Sequence, residues 1–310
     1  MTDSLDIISI GECMIELSTR KSLIYAEVLQ KYYGGDTLNA VVAAARLGSK
    51  VGYVTRVGQD SFKTFLLDSL QAENIDTSQI KVVEGYNGLY IISIQEEGNK
   101  EFVYYRKKSA ATTLSIDDIS EEYIQSGSIV YSTGITQSLS ASAKGAVKKA
   151  FRIAKEKGNQ TAYDPNFRDG LWEIGEAREG LEEVLEYLDI ITLNNINDAE
   201  LLIEHHSPDK IIKYFWDKGV STVAVKMGKN GCVIGYNGEI ANIPAREVEA
   251  VDSTGAGDAF NGGFLHGIAC GYTPFEAAKL AMIVASEQIK GLGAVKSLPY
   301  REQVYSEYKG

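Results

Sequence analysis

Along most of the chain, short apolar runs alternate with longer stretches whose apolar residues recur at helical spacing, and this alternation leaves few folds open. Residues 7–10, 51–57, 129–132, 161–164, 190–193 and 222–225 are brief and apolar, as strands covered on both faces are. Between them, Leu38, Val41, Val42 and Ala45 share one helical face, and Gly48 ends that helix. Residues 60–73, 142–157 and 177–188 read as helices as well. A β-α-β-α order of this kind predicts an α/β fold, with a mainly parallel sheet covered by helices on both faces. The chain has 310 residues, only five prolines, no fixed-period repeat and no low-complexity linker, so one domain over 1–310 is expected.

Two segments break the alternation. Residues 12–33 and 86–110 hold short strand-like pieces with no helix between them. GLYIISI and EFVYYR flank QEEGNK, which predicts a β-hairpin with Gly98 at its turn. Hairpin strands do not suit the inside of a parallel sheet, so both segments are assigned to a small β-sheet inserted at one edge as a lid. The second segment ends in EFVYYRKKSA, where Arg106, Lys107 and Lys108 follow two tyrosines in a chain of net charge −11. On its own this suits a solvated strand end or a site for an anion.

The acidic balance argues against nucleic-acid and membrane-surface binding, which need broad basic surfaces. No apolar run approaches the ~18 residues that span a bilayer, and the acidic start, interrupted by Gly11 and Glu12, is unlike a signal peptide. Cys13, Cys232 and Cys270 are far apart and odd in number, which speaks against disulfides and fits a reducing, cytoplasmic compartment. Cys232 and Cys270 are expected in the core. His205, His206 and His266 lack the spacing of a helical zinc site.

The stretch with the most chemistry is VDSTGAGDAFNGG, 251–263. Gly255 and Gly257 allow a tight turn whose successive N–H groups face one point, and the helix that follows makes that point an anion site. Asp258 falls in the first helical turn, where a carboxylate can take the proton of a hydroxyl attacking phosphorus. By itself GAGD also fits an ordinary strand-to-helix turn. Gly262, Gly263 and Gly267 follow in the same helix, each at a cost of about 1 kcal/mol relative to Ala, and so predict close approach by a neighbouring helix or ligand. A G-x-x-x-x-G-K-[ST] loop is missing, and the glycine spacing does not suit a dinucleotide-binding G-x-G-x-x-G.

GGDTLNA (34–40) and DSTGAGDAFNGG (252–263) together resemble the two signatures of the ribokinase-like, or phosphofructokinase-B, carbohydrate kinases. KMGKNG (226–231) and NINDAE (195–200) match further family elements in the same order, so the resemblance covers essentially the whole chain. GECMIELS (11–18), GLYII (88–92), YYRKKSAA (104–111) and DPNFRDGLW (164–172) are similar to the branch that phosphorylates the 6-hydroxyl of 2-keto-3-deoxygluconate with ATP and Mg²⁺.

The resemblance implies a ribokinase-like three-layer sandwich with a small β-sheet lid. Asp258 is then the catalytic base, and the amides of Gly255, Ala256 and Gly257 form the anion hole. Gly34, Gly35, Asp36 and Asn39 contact sugar hydroxyls, Tyr90 packs in the pocket, and Tyr104, Arg106 and Arg168 hold the acid end, with Lys107 and Lys108 in solvent. Lys226, Gly228, Lys229 and Gly231 line the nucleotide, joined at the phosphates by Asn166, Arg168 and Asn195. Asp198 stands where the family often has a Glu that organises Mg²⁺ through water, and Asn194 beside Asn195 leaves that register open by one residue. The implied partners are a small sugar acid and ATP, with a homo-oligomer formed through the lid. A neutral-sugar kinase such as a fructokinase, or a non-catalytic sugar-binding regulator, would use the same scaffold.

Overall fold

A computed structural model describes residues 4–95 and 100–308. Nine strands form the main sheet: β1 (Leu5–Ile10), β4 (Val51–Gly58), β5 (Ile80–Val83), β8 (Gly127–Thr133), β9 (Gln160–Asp164), β10 (Ile190–Asn194), β11 (Thr222–Lys226), β12 (Cys232–Tyr236) and β13 (Glu239–Ile243). The other four, β2 (Met14–Thr19), β3 (Gln30–Gly34), β6 (Leu89–Ile94) and β7 (Lys100–Tyr105), form a separate small sheet. The main sheet runs β13-β12-β11-β10-β9-β8-β1-β4-β5, parallel from β11 to β5 and antiparallel at the β12–β13 edge.

Helices cover both faces, because successive strand residues point to opposite sides. Ile7, Ile129, Tyr131 and Ile190 pack against α1 (Asp36–Leu47), α2 (Lys63–Ala72), α8 (Ala256–Ala269), α9 (Pro274–Gln288) and α10 (Arg301–Tyr308). Their neighbours Ile8, Val130 and Ile191 pack against α3 (Glu121–Gln125), α5 (Ala141–Lys157), α6 (Ile174–Leu185) and α7 (Pro208–Asp217). A short helix, α4 (Gly134–Ser138), follows β8. The result is the three-layer architecture expected from the alternation. Two helix starts differ from expectation. At α2, Asp60 Oδ1 accepts the Phe62 amide at 2.8 Å and holds a turn before the helix begins. At α6, reciprocal capping by Glu173 and Glu176 starts the helix three residues before 177.

The three glycines of α8 are explained by helix contact. A Cβ on Gly262 would lie 2.2 Å from Ala40 O of α1, and one on Gly267 would lie 2.7 Å from Ala277 Cβ of α9. Helix α8 is thus wedged between two neighbours, and this close fit fixes where its N-terminus, with GAGD, is delivered. Cys232 is buried as expected and Cys13 is buried too; Cys270, also expected in the core, is not, since it caps the C-terminal end of α8 and is exposed there.

The small sheet is ordered β3-β2-β6-β7, with β2 and β6 parallel and the other two pairs antiparallel. Its strands come from the two segments that broke the alternation. The connection between β6 and β7, with Gly98, lies outside the described residues. Glu16, Tyr90 and Tyr104 stand side by side across it, so they share the face turned to the body of the molecule. Leu17, Ile91 and Val103 share the other face.

Candidate active site

The parallel strands all end on one side of the sheet, and a cavity of about 1220 Å³ opens there beneath the small sheet. Loops after such strand ends are where α/β sheets bind ligands. Residues from after β1, β9, β10 and β11 line the cavity, together with the start of α1, the start of α8 and strand β7.

The turn before α8 is shaped by Gly255, whose φ of 81° is left-handed and whose Cβ would lie 2.8 Å from Ala294 Cβ. The Ala256 amide turns back to Ser253 O at 3.3 Å, and the helical register begins with Ala259 N donating to Gly255 O at 2.8 Å. The Gly257 and Asp258 amides precede that first bond, at the positive end of a 14-residue helix.

Asp258 Oδ2 accepts from Asn39 Nδ2 at 2.8 Å. Its carboxyl is pushed up to about 8, first by burial and then by the neighbouring Asp36 charge; Asn39 and Lys226 act in the opposite direction. A carboxylate in this condition is an effective proton acceptor near neutral pH. Lys226 Nζ donates to Asp164 Oδ2 at 2.6 Å and to Asn261 Oδ1 at 3.3 Å, while Asn261 Nδ2 reaches the same Asp164 oxygen and the Tyr131 hydroxyl. A Cβ on Gly257 would lie 3.6 Å from Lys226 Nζ, which sets the ammonium beside the glycine turn.

At the start of α1, a Cβ on Gly35 would lie 2.3 Å from Glu12 O, so only glycine fits between the β1 loop and the helix. Gly34 gives the same room to the Tyr90 hydroxyl, 2.6 Å from where its Cβ would be. Asp36 Oδ2 accepts from Asn166 Nδ2 at 3.2 Å, and burial raises its carboxyl. Tyr90 donates its hydroxyl to the buried Glu16, whose carboxyl burial lifts to about 7.

On β7, Tyr104 packs 5.8 Å from the Tyr90 ring, and the Arg106 guanidinium lies 5.9 Å from the Tyr104 ring. Arg106 is itself buried and forms an ion pair with Glu12, a residue with no functional reading in the sequence. Burial pushes Glu12 up to about 7 against the pull of Arg106. Arg168 lines the cavity close enough that its charge and that of Arg106 both act on the Tyr104 hydroxyl. Lys107 and Lys108 are exposed.

Gly228, Lys229, Gly231 and Asn166 line the cavity. Asn195 is not among the lining residues; Asn194, at the end of β10, takes that place. The cause is local: residues 195–200 form a π-helical turn, which absorbs one extra residue and carries Asn195 away from the wall. Asp198 lines the cavity, but each of its oxygens accepts a backbone amide, from Phe167 at 2.8 Å and Asn194 at 2.6 Å. Three features lacked a usable signal in the sequence: Glu12, Lys100 of β7, and the apolar slot between residues 245–250 and α9, formed by Ala245, Val248, Met282 and Ile289.

A raised carboxyl, amides at a helix N-terminus, an ammonium beside them and a small sheet above form an arrangement suited to moving a phosphoryl group between small molecules. The chain belongs to the pfkB family of carbohydrate kinases, whose description, pfkB family carbohydrate kinase, it matches over residues 4–301. It is 31% identical to the 2-dehydro-3-deoxygluconokinase of Thermoproteus tenax over 301 residues, 95% of this chain and 91% of that one. It is 32% identical to the 2-dehydro-3-deoxygluconokinase of Escherichia coli (strain K12) over 306 residues, 94% and 97% of the two chains. Among solved structures, a putative ribokinase II from E. coli in complex with ATP and Mg²⁺ superposes with a TM-score of 0.91 at 26% identity, over 98% of this chain and 99% of that one.

Proposed function

We propose that the protein, acting as one kinase domain over 1–310 with an inserted lid, transfers the γ-phosphoryl group of ATP to the 6-hydroxyl of 2-keto-3-deoxygluconate. The observation that carries this reading is the pair of guanidiniums, Arg106 and Arg168, beside Tyr104 at the lid side of a cavity that also holds the GAGD turn. A neutral sugar offers them no charge partner, whereas a carboxylate matches their forked donors. The names of the two curated relatives support the same substrate.

In this reading Asp258 accepts the proton of the sugar hydroxyl through the oxygen that Asn39 does not hold. The Gly255 and Gly257 amides, with Lys226, stabilise charge on the transferred group, whereas the Ala256 amide expected beside them is already held by Ser253 O at 3.3 Å. Gly34, Gly35 and Asp36 meet the sugar hydroxyls, and Tyr90 forms the wall. Asn166, Asn194, Gly228, Lys229 and Gly231 border the phosphates and ribose, and the slot between 245–250 and α9 accepts the adenine. No side-chain cluster among the described residues forms a metal cage. This donor set would suit Mg²⁺ brought with the nucleotide, which Asn194 and Asp198 would hold only through water. Bound there, it neutralises phosphate charge. No helix among the described residues is long and apolar enough to cross a membrane, and we place the enzyme in the cytoplasm.

A coupled ADP-release assay with ATP, Mg²⁺ and a panel of 2-keto-3-deoxygluconate, fructose and ribose tests the reading. Turnover is expected with the acid. Preference for fructose would mark a neutral-sugar kinase, and no turnover with any sugar would leave a binding protein.

The raised Asp258 carboxyl sets the pH profile. The base works only when ionised, so kcat/KM for the sugar acid rises about tenfold per pH unit up to about pH 8 and then levels off. Asp36→Asn removes the largest neighbouring charge and moves that inflection down. A profile without a rise below pH 8 would refute the assignment of the base.

The outer face of the lid exposes Tyr105, and the loop between β2 and β3 exposes Ile24, Tyr25 and Val28. Exposed apolar side chains of this kind suit burial against a second copy of the chain. Light scattering is expected to give at least twice the chain mass, and Ile24→Lys with Val28→Lys to give the single-chain mass. A monomeric wild type would overturn this assembly.

A further inference from the structure

Lys100 begins strand β7 and reaches out of the lid into the body of the molecule. Its ammonium lies 2.7 Å from Asp252 Oδ1, 3.1 Å from Ser253 Oγ and 3.1 Å from Thr254 Oγ1. These three consecutive residues immediately precede Gly255. An ammonium has three N–H donors, and here three oxygens meet them. The same segment is tied from the opposite side: Asp252 Oδ2 accepts the Gly293 amide at 3.1 Å, and Thr254 O accepts from Gln288 Nε2 at 2.7 Å. Burial alone raises the Asp252 carboxyl, yet Lys100 and the Thr254 and Gly293 donors hold it below the usual carboxylate range. No other residue of the small sheet makes a described side-chain hydrogen bond to this segment.

The strand itself gives the contact its meaning. Residues 100, 102, 104 and 106 all line the cavity, on one face of β7 and its extension. At roughly 3.4 Å per residue, the distance from Lys100 to Arg106 is about 20 Å. Pairing with β6 from Leu89↔Tyr105 to Ile94↔Lys100 makes the span a stiff rod. One end carries the guanidinium assigned to the sugar acid, and the other grips the root of the anion-binding turn.

We propose that Lys100 is a positioning residue for phosphoryl transfer: it locks residues 252–254 to the lid, so that the lid's seating on the sugar and the placement of the Gly255–Gly257 amides are one event. This rests on the kinase reading of the GAGD turn. Displacement of the turn by a fraction of an ångström lowers the rate without removing the walls that bind ATP or sugar. Arginine does not substitute, because its planar fork cannot present three convergent donors to the three oxygens.

The test uses the full chain and Lys100→Ala, Lys100→Met and Lys100→Arg. Each variant is expected to lose roughly 100-fold in kcat while KM for ATP and for the sugar acid stays within about threefold. n-Propylammonium, which replaces the atoms missing in K100A, is expected to restore its kcat by roughly tenfold and to leave the wild type unchanged. Hydrogen exchange at the amides of 253–258, measured without sugar or nucleotide, is expected to quicken in K100M. Unchanged exchange, kcat within threefold of wild type, or failure of the amine to rescue K100A would each overturn the proposal, as would loss of folding in both K100A and K100M, which would leave Lys100 a structural part only. The exchange measurement needs no substrate, so it judges Lys100 even if the wild type refuses the sugar acid; that refusal would count against the proposed function alone.

Discussion

Asp258→Asn is expected to lower kcat by about 10²–10⁴-fold, the range of general-base catalysis, while ATP and the sugar acid still bind. The substitution keeps the size of the side chain and an oxygen for Asn39 Nδ2, which Asp258 engages at 2.8 Å, so the start of α8 and the turn before it stay in place. What disappears is the only group in the turn able to take a proton. The folded protein does not weaken. Burial and Asp36 raise the Asp258 carboxyl, so ionising it is costlier in the folded chain than in the unfolded one; this cost builds above the ordinary value of 3.8 and is complete above about pH 8. A neutral amide removes it, and the melting temperature at alkaline pH is unchanged or higher. Calorimetric titration checks binding, and ADP release checks kcat. Turnover within tenfold of wild type would mean that the proton goes elsewhere.

Much of this site could be read from the chain because glycine leaves a trace. Gly35, Gly255 and the glycines of α8 sit at close approaches that leave no room for a side chain, and those of α8 were visible as a cost without a local reason. The alternating layers were legible for a similar cause: Ile7 and Ile8 face opposite cores because a strand's period is two. The lid was legible as a failure of that alternation. Pairings across long sequence distances were not. Asn39 meets Asp258, Arg106 meets Glu12, and Lys100 meets Asp252 only because the order of strands in the sheet and the seating of the lid bring them together. No local pattern encodes a crossover. Nor could spacing choose between Asn194 and Asn195. That choice was made by a π-turn, a small change in helical pitch with no residue that announces it.

Arg106→Ala is expected to raise KM for the sugar acid by about 10- to 200-fold, the equivalent of one charge-assisted contact of ~1.5–3 kcal/mol, and to change KM for ATP little. The ion pair with Glu12 complicates the simple version of this experiment. Both Glu12 oxygens are buried, and Arg106 is the opposite charge beside them. Removing one partner of a buried pair costs about 3–5 kcal/mol, so R106A loses stability for a reason unrelated to substrate. Part of that loss is recovered by protonation: Glu12 already sits near 7 with Arg106 present, and without it the carboxyl moves higher and holds its proton at neutral pH. Glu12→Gln imitates that protonated state. The double variant, Arg106→Ala with Glu12→Gln, is therefore expected to regain melting temperature over R106A yet keep the high KM for the acid. Stability and recognition then separate in one series. If the double variant also regained a wild-type KM, Arg106 would be serving only to neutralise Glu12, and the acid would be held by Arg168 and Tyr104 without it. Glu12→Gln alone completes the argument: with no carboxylate competing for its guanidinium, Arg106 is expected to bind the acid at least as tightly as in the wild type.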